Sequence, residues 1–451
     1  MSTPPGPRRS SPLGVLRQFT RAPLSLVTES IQHYGDCVLL PGLFGQNVFL
    51  LNDPELIHTA LVTQSQHIEK PGPLKWIFRS SFGNGLFFSE GEFWHRQRKL
   101  AQPAFHYKRI QTYAEGMVRR AFQMLAGWSD GQVCDVRKEF SALTLKVVVD
   151  ALFNTTVESQ TEKIYQAMTD LGGAIEQQSF NPLLAMLPDW APMPLMRKKQ
   201  RASIALNEIV YGFIRERRAA NSDAGDLLSM LLFAKDEAGQ SMTDRQLHDE
   251  VMTIFIAGHE TTAVTLAWIF VELARHPEVE TRLHAELDSI LNGRPATLSD
   301  LANLPYTELI VKETLRLYPP AWLLLRSAKT DLVLGNFRVP RGNQIWISPH
   351  ALHRNPRFYA EPNQFQPERF GADTGGQNLE DRLSKFAYIP FGGGPRICIG
   401  NQFALLEARL LLATIAQHYR LAFTTNNPVK MHVGPTLGFE NGVRLLLKRR
   451  V

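Results

Sequence analysis

The stretch VMTIFIAGHETTAVTLAWIFVELA, Val251 to Ala274, has apolar residues on nearly every side of a helical wheel. It lies in a longer segment, Thr243 to Arg275, that opens with Thr243-x-x-Gln246, the pattern of a capping box. A helix without a polar stripe has no face to give to water, so other elements must surround it. That requirement limits the fold to a body packed around one central helix. His259, Glu260, Thr261 and Thr262 break the apolar run at its middle, which excludes a membrane span.

The flanking sequence supplies what such a helix needs. Apolar residues at three- and four-residue spacing predict helices over Phe93 to Leu100, Lys108 to Trp128, Phe140 to Phe153 and Ala202 to Ile214. Asp36 to Asn52 reads as a hairpin turning at Pro41 to Gln46, and Asp331 to Gly342 and Gln344 to Ser348 read as short strands. The fold class is therefore mainly α with a small β region (α+β). Phe180 to Met196, with NPLLAMLPDWAPMPLM at its centre, is apolar but broken by proline. It is either a packed connection or a mobile lid over an apolar cavity, and contact of 181–196 with a membrane surface stays open.

A chain of 451 residues with 44% hydrophobic content can bury a large core as one domain or two. Its three cysteines, Cys37, Cys134 and Cys398, have neither disulfide-framework nor zinc-finger spacing, which fits a reducing cytoplasm. No apolar run near the N-terminus is long enough for a signal peptide or a transmembrane anchor, and residues 1–20 read as a flexible lead-in. The net charge of +6 is spread along helices among apolar and acidic residues. It fits an acidic protein partner as well as nucleic acid, and no basic tail favours the latter. No heptad seam stands out, so a monomer is expected.

Four patterns carry chemistry. In Ala257-Gly258-His259-Glu260-Thr261-Thr262, a mid-helix glycine costs about 1 kcal/mol relative to alanine, and an unpaired glutamate in apolar surroundings costs more. Local rules broken at one spot point to function, and a hydroxyl beside an acid can pass protons. A kinked core helix with satisfied polar groups is the alternative. In Phe391-Gly392-Gly393-Gly394-Pro395-Arg396-Ile397-Cys398-Ile399-Gly400, glycines let backbone N–H groups approach a sulfur that must stay unhindered. Arg396 and the start of the following helix favour a thiolate. One thiolate without a partner cysteine suits the proximal ligand of a haem iron. On the cysteine alone, a buried structural thiol in a tight turn competes.

Glu313 and Arg316, three residues apart, share one helix face and can form a bidentate pair. With Arg369 in Phe365-Gln366-Pro367-Glu368-Arg369-Phe370 they make a candidate buried network, although Glu-x-x-Arg alone occurs on many surface helices. Trp94 and Arg98, at i and i+4, offer an indole N–H and a guanidinium fork to a carboxylate; a cation–π pair is the alternative.

Together these patterns, in this order from Trp94 to Gly400, resemble the cytochrome P-450 superfamily of haem-thiolate monooxygenases. The resemblance implies that fold, with haem b (iron protoporphyrin IX) between the long distal helix and the cysteine loop and helix. Residues 21–451 are then one catalytic domain, an α-rich body with a smaller β-rich lobe. It makes Cys398 the axial ligand, shielded by Phe391 next to Gly392. It makes Trp94, Arg98, Arg326 and Arg396 the haem-binding groups, Glu260 and Thr261 the proton-delivering pair, and Glu313, Arg316 and Arg369 a structural triad.

The implied reaction inserts one oxygen atom from O2 into a substrate, with electrons from outside. No fused reductase is expected, so a ferredoxin or flavodoxin with its reductase is the expected donor. Arg96, Arg98, Lys99, Lys108, Arg109 and Lys385 are candidates for docking it. Around the substrate the resemblance puts Phe87, Phe255, Ala257, Thr262, Ala321, Leu323 and Leu437, each of which core packing would also explain. Their apolar character implies a lipophilic small molecule such as a fatty acid, terpene or steroid-like ring, and AGHETT with GNGLFF is similar to bacterial fatty-acid hydroxylases. A peroxide-driven haem-thiolate enzyme and a non-catalytic haem sensor or carrier are the rival readings.

Overall fold

The structure, a computed structural model, describes residues 2–7, 11–154, 158–181, 184, 187–372, 376–424 and 429–450. The chain forms two compact units. The first comprises Met1–Gly72, Leu309–Cys398 and Met431–Gly438, and the second Pro73–Glu308, Ile399–Lys430 and Phe439–Val451.

The first unit is built on a five-stranded sheet in the order Cys37–Leu40, Val48–Leu51, Gln344–Ile347, Leu324–Ala328, Ile68–Glu69. The predicted hairpin forms, with Leu40 opposite Val48. Strand periodicity divides its side chains between two cores: Phe49 and Leu51 join Ile57, Leu61 and Phe386, whereas Val48 and Leu50 join Val15, Leu26 and Val27. Those last three come from helices Pro12–Arg21 and Pro23–Tyr34.

The expected lead-in is thus more ordered than the sequence implied. Ser11 accepts a hydrogen bond from Gly14 N–H and caps the Pro12–Arg21 helix, Phe19 lies 4.9 Å from the Trp346 ring, and Leu39 N–H donates to the Pro5 carbonyl. Within the stretch Asp331 to Gly342, expected as short strand, Leu332–Leu334 and Phe337–Val339 pair as a hairpin.

The second unit surrounds the helix Asp244–Arg275, which starts with the predicted Thr243–Gln246 capping box. From Ala263 to Leu273 every residue is buried, as the lack of a polar stripe requires. Among the described residues it is the one helix long and apolar enough to cross a membrane, and it is mostly buried within the protein. It packs on the helices Val136–Phe153, Pro194–Ala220 and Asn401–His418. An antiparallel sheet of Val133–Asp135, Arg444–Arg449 and Tyr419–Phe423 completes the unit.

The stretch predicted helical over Lys108 to Trp128 is divided, with helices Tyr107–Ile110 and Ala114–Ala126 joined by a tighter turn. The helix Glu158–Phe180, which carries Gly172 and Gly173, was not foreseen. In the proline-broken stretch, Pro182, Leu183, Ala185 and Met186 lie outside the described residues. Beyond them, Asp189 pairs with the buried Lys199 at 2.7 Å and Trp190 is 80% exposed.

Candidate active site

The cysteine loop closes on itself in the first unit. Cys398 N–H donates to the Phe391 carbonyl at 3.0 Å, and Ile397 N–H to that of Gly394. Gly392 and Gly394 take φ values of 74° and 69°, which side-chain-bearing residues rarely adopt. Space imposes a second demand. A Cβ on Gly394 would lie 2.0 Å from the Leu61 carbonyl oxygen, and one on Gly393 would lie 2.5 Å from the Phe386 ring. The glycines therefore serve close packing beneath the loop, a role the sequence reading had not included.

The three thiols differ in kind. Cys37 and Cys134 are buried, and burial, reinforced by Asp36 in one case and by Glu139 and Asp135 in the other, pushes both up to about 12. Cys398 is exposed, with Arg396 two residues before it. Among the described residues no group of three His, Cys, Asp or Glu side chains could hold a metal ion. A single cysteine donor suits an iron whose other ligands a porphyrin supplies. The donor set fits a haem.

Behind the loop lies the Glu313 network. Arg316, wholly buried, donates Nε and Nη2 to the two Glu313 oxygens at 2.7 Å each. It also donates to the carbonyls of His353, Pro362 and Gln364. Arg369 Nε donates to the same carboxylate at 3.0 Å. The predicted triad is thus assembled, and two further groups join it to the cysteine loop. His353 Nδ1 lies 3.3 Å from the Arg316 carbonyl while Nε2 accepts Ile389 N–H at 2.9 Å. Burial, and after it the Arg316 charge, lowers His353 to about 3. The ring is therefore neutral, with one nitrogen to donate and one to accept. Tyr359 Oη donates to the Ala387 carbonyl. Both bonds end on the strand of chain leading into Phe391.

Of the other residues expected at the site in this unit, Arg326 is nearly buried, with Nη1 donating to the Leu325 carbonyl. Arg396 and Leu323 are half-buried and Ala321 is exposed. Leu437 is fully buried, its N–H bonded to the Pro320 carbonyl.

In the second unit the middle of the central helix is uneven in burial. Ala257 is exposed and Thr261 half-buried, although the helix is buried from Leu247 to Thr253 and from Thr262 to Leu273. Thr261 Oγ1 donates to the Ala257 carbonyl at 2.7 Å. A Cβ on Gly258 would meet Val148 at 2.9 Å, so this glycine lets two helices approach. Phe255 and Thr262 lie on the buried side of the helix. Phe255 is fully buried with its ring 5.6 Å from that of Phe153, and Thr262 turns into the core toward Glu407. An aromatic or a threonine that falls on the packed side of a helix reads like one on the open side when the period is apolar all round.

Glu260 makes an ion pair with Arg137 at 2.7 Å. No signal in the sequence links two residues so far apart. Glu407 was likewise missed. It is wholly buried beside the Thr262 hydroxyl, with neither oxygen in a hydrogen bond of normal geometry, and burial raises it to about 8 against a smaller opposing effect of Thr262. Trp94 is buried and Arg98 half-buried on the helix Gly91–Ala101, while Phe87 is 44% exposed. The docking cluster is largely neutralised: Arg96 pairs with Asp236, Lys99 with Glu237 and Arg109 with Asp223.

The cytochrome P450 family model matches residues 4–441. The chain is 36% identical over 411 residues to cyclooctat-9-en-7-ol 5-monooxygenase of Streptomyces melanosporofaciens, covering 91% of this chain and 87% of the relative. It is 34% identical to pentalenene oxygenase of Streptomyces avermitilis over 96% and 94% of the two chains. The crystal structure of the cytochrome P450DA haem domain superposes with a TM-score of 0.88 at 27% identity, covering 100% of this chain and 98% of that one. The chain belongs to the cytochrome P450 family. It is a monooxygenase with a haem iron cofactor, and its fold is the expected one, mainly α with small sheets.

Proposed function

We propose that this monooxygenase inserts one oxygen atom from O2 into a terpene-like ring substrate, held at haem b ligated by Cys398. The observation that carries the reading is the exposed Cys398 on a loop fixed by glycine packing and by the Glu313 network. When bound, the haem supplies activation of dioxygen. Cys398 Sγ would hold the iron, and Trp94, Arg98, Arg326 and Arg396 would hold the propionates. Thr261 Oγ1, kept in place by the Ala257 carbonyl, passes protons, and Glu260, restrained by Arg137, replenishes them. Apolar Phe87, Ala257, Ala321 and Leu323 exclude water and orient the substrate.

The relatives that carry ring-terpene names favour a terpene over a fatty acid. Electrons come from a separate ferredoxin or flavodoxin with its reductase, in a cytoplasmic setting.

The first test is the absorption spectrum of the protein reduced under carbon monoxide. A strongly red-shifted Soret band is expected for thiolate ligation, and its absence in Cys398→Ala assigns the ligand. A wild-type band at the position of neutral ligation overturns the site. Turnover of sesqui- and diterpene hydrocarbons with a ferredoxin system then tests the substrate class, and Thr261→Ala is expected to consume O2 without forming product.

A further inference from the structure

At the N-terminal end of the central helix, two neighbouring acids face the turn that carries Phe87. Asp249 Oδ2 accepts Asn84 N–H at 2.8 Å, and Glu250 Oε2 accepts Leu86 N–H at 2.9 Å. The turn is shaped to them. A Cβ on Gly83 would lie 2.0 Å from Asp249 Oδ1, and one on Gly85 would lie 2.2 Å from both the Asp249 carbonyl oxygen and Thr253 Oγ1. Only glycine lets the backbone reach both carboxyl groups. The fit is backed from the other side: His248 Nδ1 lies 3.0 Å from Asp249 Oδ1 and Nε2 lies 2.8 Å from Asn207 Oδ1, while Tyr211 stacks on the His248 ring at 4.4 Å.

What the turn presents is a pair of phenylalanines facing different ways. Phe88 is fully buried against Phe78, with ring centroids 5.3 Å apart, whereas Phe87 stands 44% exposed at right angles to it. Leu86, between the clamped amides and Phe87, is buried. Two amide anchors before Phe87 and one buried ring after it leave that side chain little freedom to withdraw. Burying Glu250 for one amide hydrogen bond is costly: burial, with the Asp249 charge adding to it, raises the carboxyl to about 8. A glutamate kept under that cost, with a single backbone amide as its partner, is placed there for the turn.

We propose that Asp249 and Glu250 are positioning residues that fix the Gly83–Leu86 turn, and through it the Phe87 ring, and thereby set the size of ligand the distal side accepts. The proposal rests on the reading that Phe87 faces the substrate. It belongs to this chain's own pairing of a Gly-Asn-Gly turn with an Asp-Glu step on the central helix.

The test uses the holoenzyme and two probes that bind haem iron, imidazole and the bulky azole clotrimazole, titrated by their spectral shifts, together with hydrogen exchange of the 82–90 backbone. Glu250→Ala is expected to speed exchange at Leu86 about tenfold, the worth of one hydrogen bond to a carboxyl group. It should also change the ratio of clotrimazole to imidazole affinity about fivefold or more while imidazole binding stays put. Glu250→Gln, which keeps an acceptor oxygen, should restore both readouts. Phe87→Ala should change the affinity ratio without changing exchange. If Glu250→Ala yields no holoenzyme, Gly85→Ala, which wedges the turn off the helix, provides the same two readouts.

Faster exchange with an unchanged ratio, while Phe87→Ala does shift the ratio, overturns the positioning role. An unchanged ratio in Phe87→Ala as well overturns the placement of Phe87 itself, and the proposal with it.

Discussion

Replacing Arg316 by lysine tests how the cysteine loop is supported. The guanidinium makes two bonds to Glu313 and three to the backbone carbonyls of His353, Pro362 and Gln364, and neither Arg316 nor Glu313 has access to water. A lysine ammonium has three donors, no planar fork and a shorter reach across the site. At least two of those acceptors lose their partner, and part of the Glu313 charge is left to Arg369 and the Gln366 N–H alone. Breaking a buried ion pair costs about 3–5 kcal/mol, within a total stability of about 5–15 kcal/mol. For a unit of 150–250 residues that is a fall in melting midpoint of about 6–20 °C.

The loss should also reach the loop, because the Arg316 carbonyl orients His353 and His353 holds Ile389 N–H. Thermal unfolding followed by far-UV circular dichroism reads the first effect. The reduced carbon monoxide spectrum reads the second, as a loss of the thiolate band at temperatures where the protein is still folded. Arg338→Ala, which removes an exposed pair with Asp331, is the control and should leave both unchanged. A midpoint for Arg316→Lys within 2 °C of wild type would refute the support role, as would a lowered midpoint with an intact thiolate band.

Gly394→Ala should abolish haem retention, since the added carbon meets the Leu61 carbonyl oxygen at 2.0 Å in a left-handed backbone; haem content per chain after purification checks it. Glu407 gives a pH signature. Its carboxyl titrates near 8 in the folded chain against an ordinary 4.5, so between those values the folded state holds a proton that the unfolded state has lost. Stability from Glu407 is then fully present below about pH 4.5 and falls as pH rises toward 8, by up to about 1.4 kcal/mol per pH unit. Urea unfolding at pH 5, 6, 7 and 8 should show a flatter decline for Glu407→Gln than for wild type, and parallel lines would contradict the burial effect. Charge reversal at Lys99 breaks a pair with Glu237 that is exposed on both sides, so it should leave the melting midpoint unchanged, and any change in the rate of reduction by a redox protein would then report docking.

Much of this molecule was legible from periodicity. An all-apolar helix announces that it is central, turn residues between apolar runs located the Asp36 to Asn52 hairpin, and the spacing of Glu313 and Arg316 predicted their pairing. Local patterns report which face of an element is apolar. They do not report what lies across from it, and that is where the reading fell short. Nothing near Gly258 in sequence shows that it admits Val148, and the glycines of the cysteine loop were credited to the sulfur when Leu61 and Phe386 also demand them. Phe255 and Leu437 have the composition of a pocket wall and the burial of a core.

The handling of acids follows the same division. Glu313 has two arginines, one of them three residues away, and could be foreseen as a buried pair. Glu260 has Arg137, Glu250 has the Leu86 amide, and Glu407 has only the Thr262 hydroxyl beside it. None of those partners lies within reach along its own helix turn. An acid is inexpensive at Glu313 because the charge is shared by two guanidinium groups and a backbone N–H. At Glu250 and Glu407 burial outweighs the little that opposes it, and both are protonated over most of the neutral range. The sequence shows all four as glutamates in apolar company. Only the fold decides which remains an anion and which becomes a neutral donor, and that decision separates an anchor for the cysteine loop from groups able to hold a proton beside the central helix.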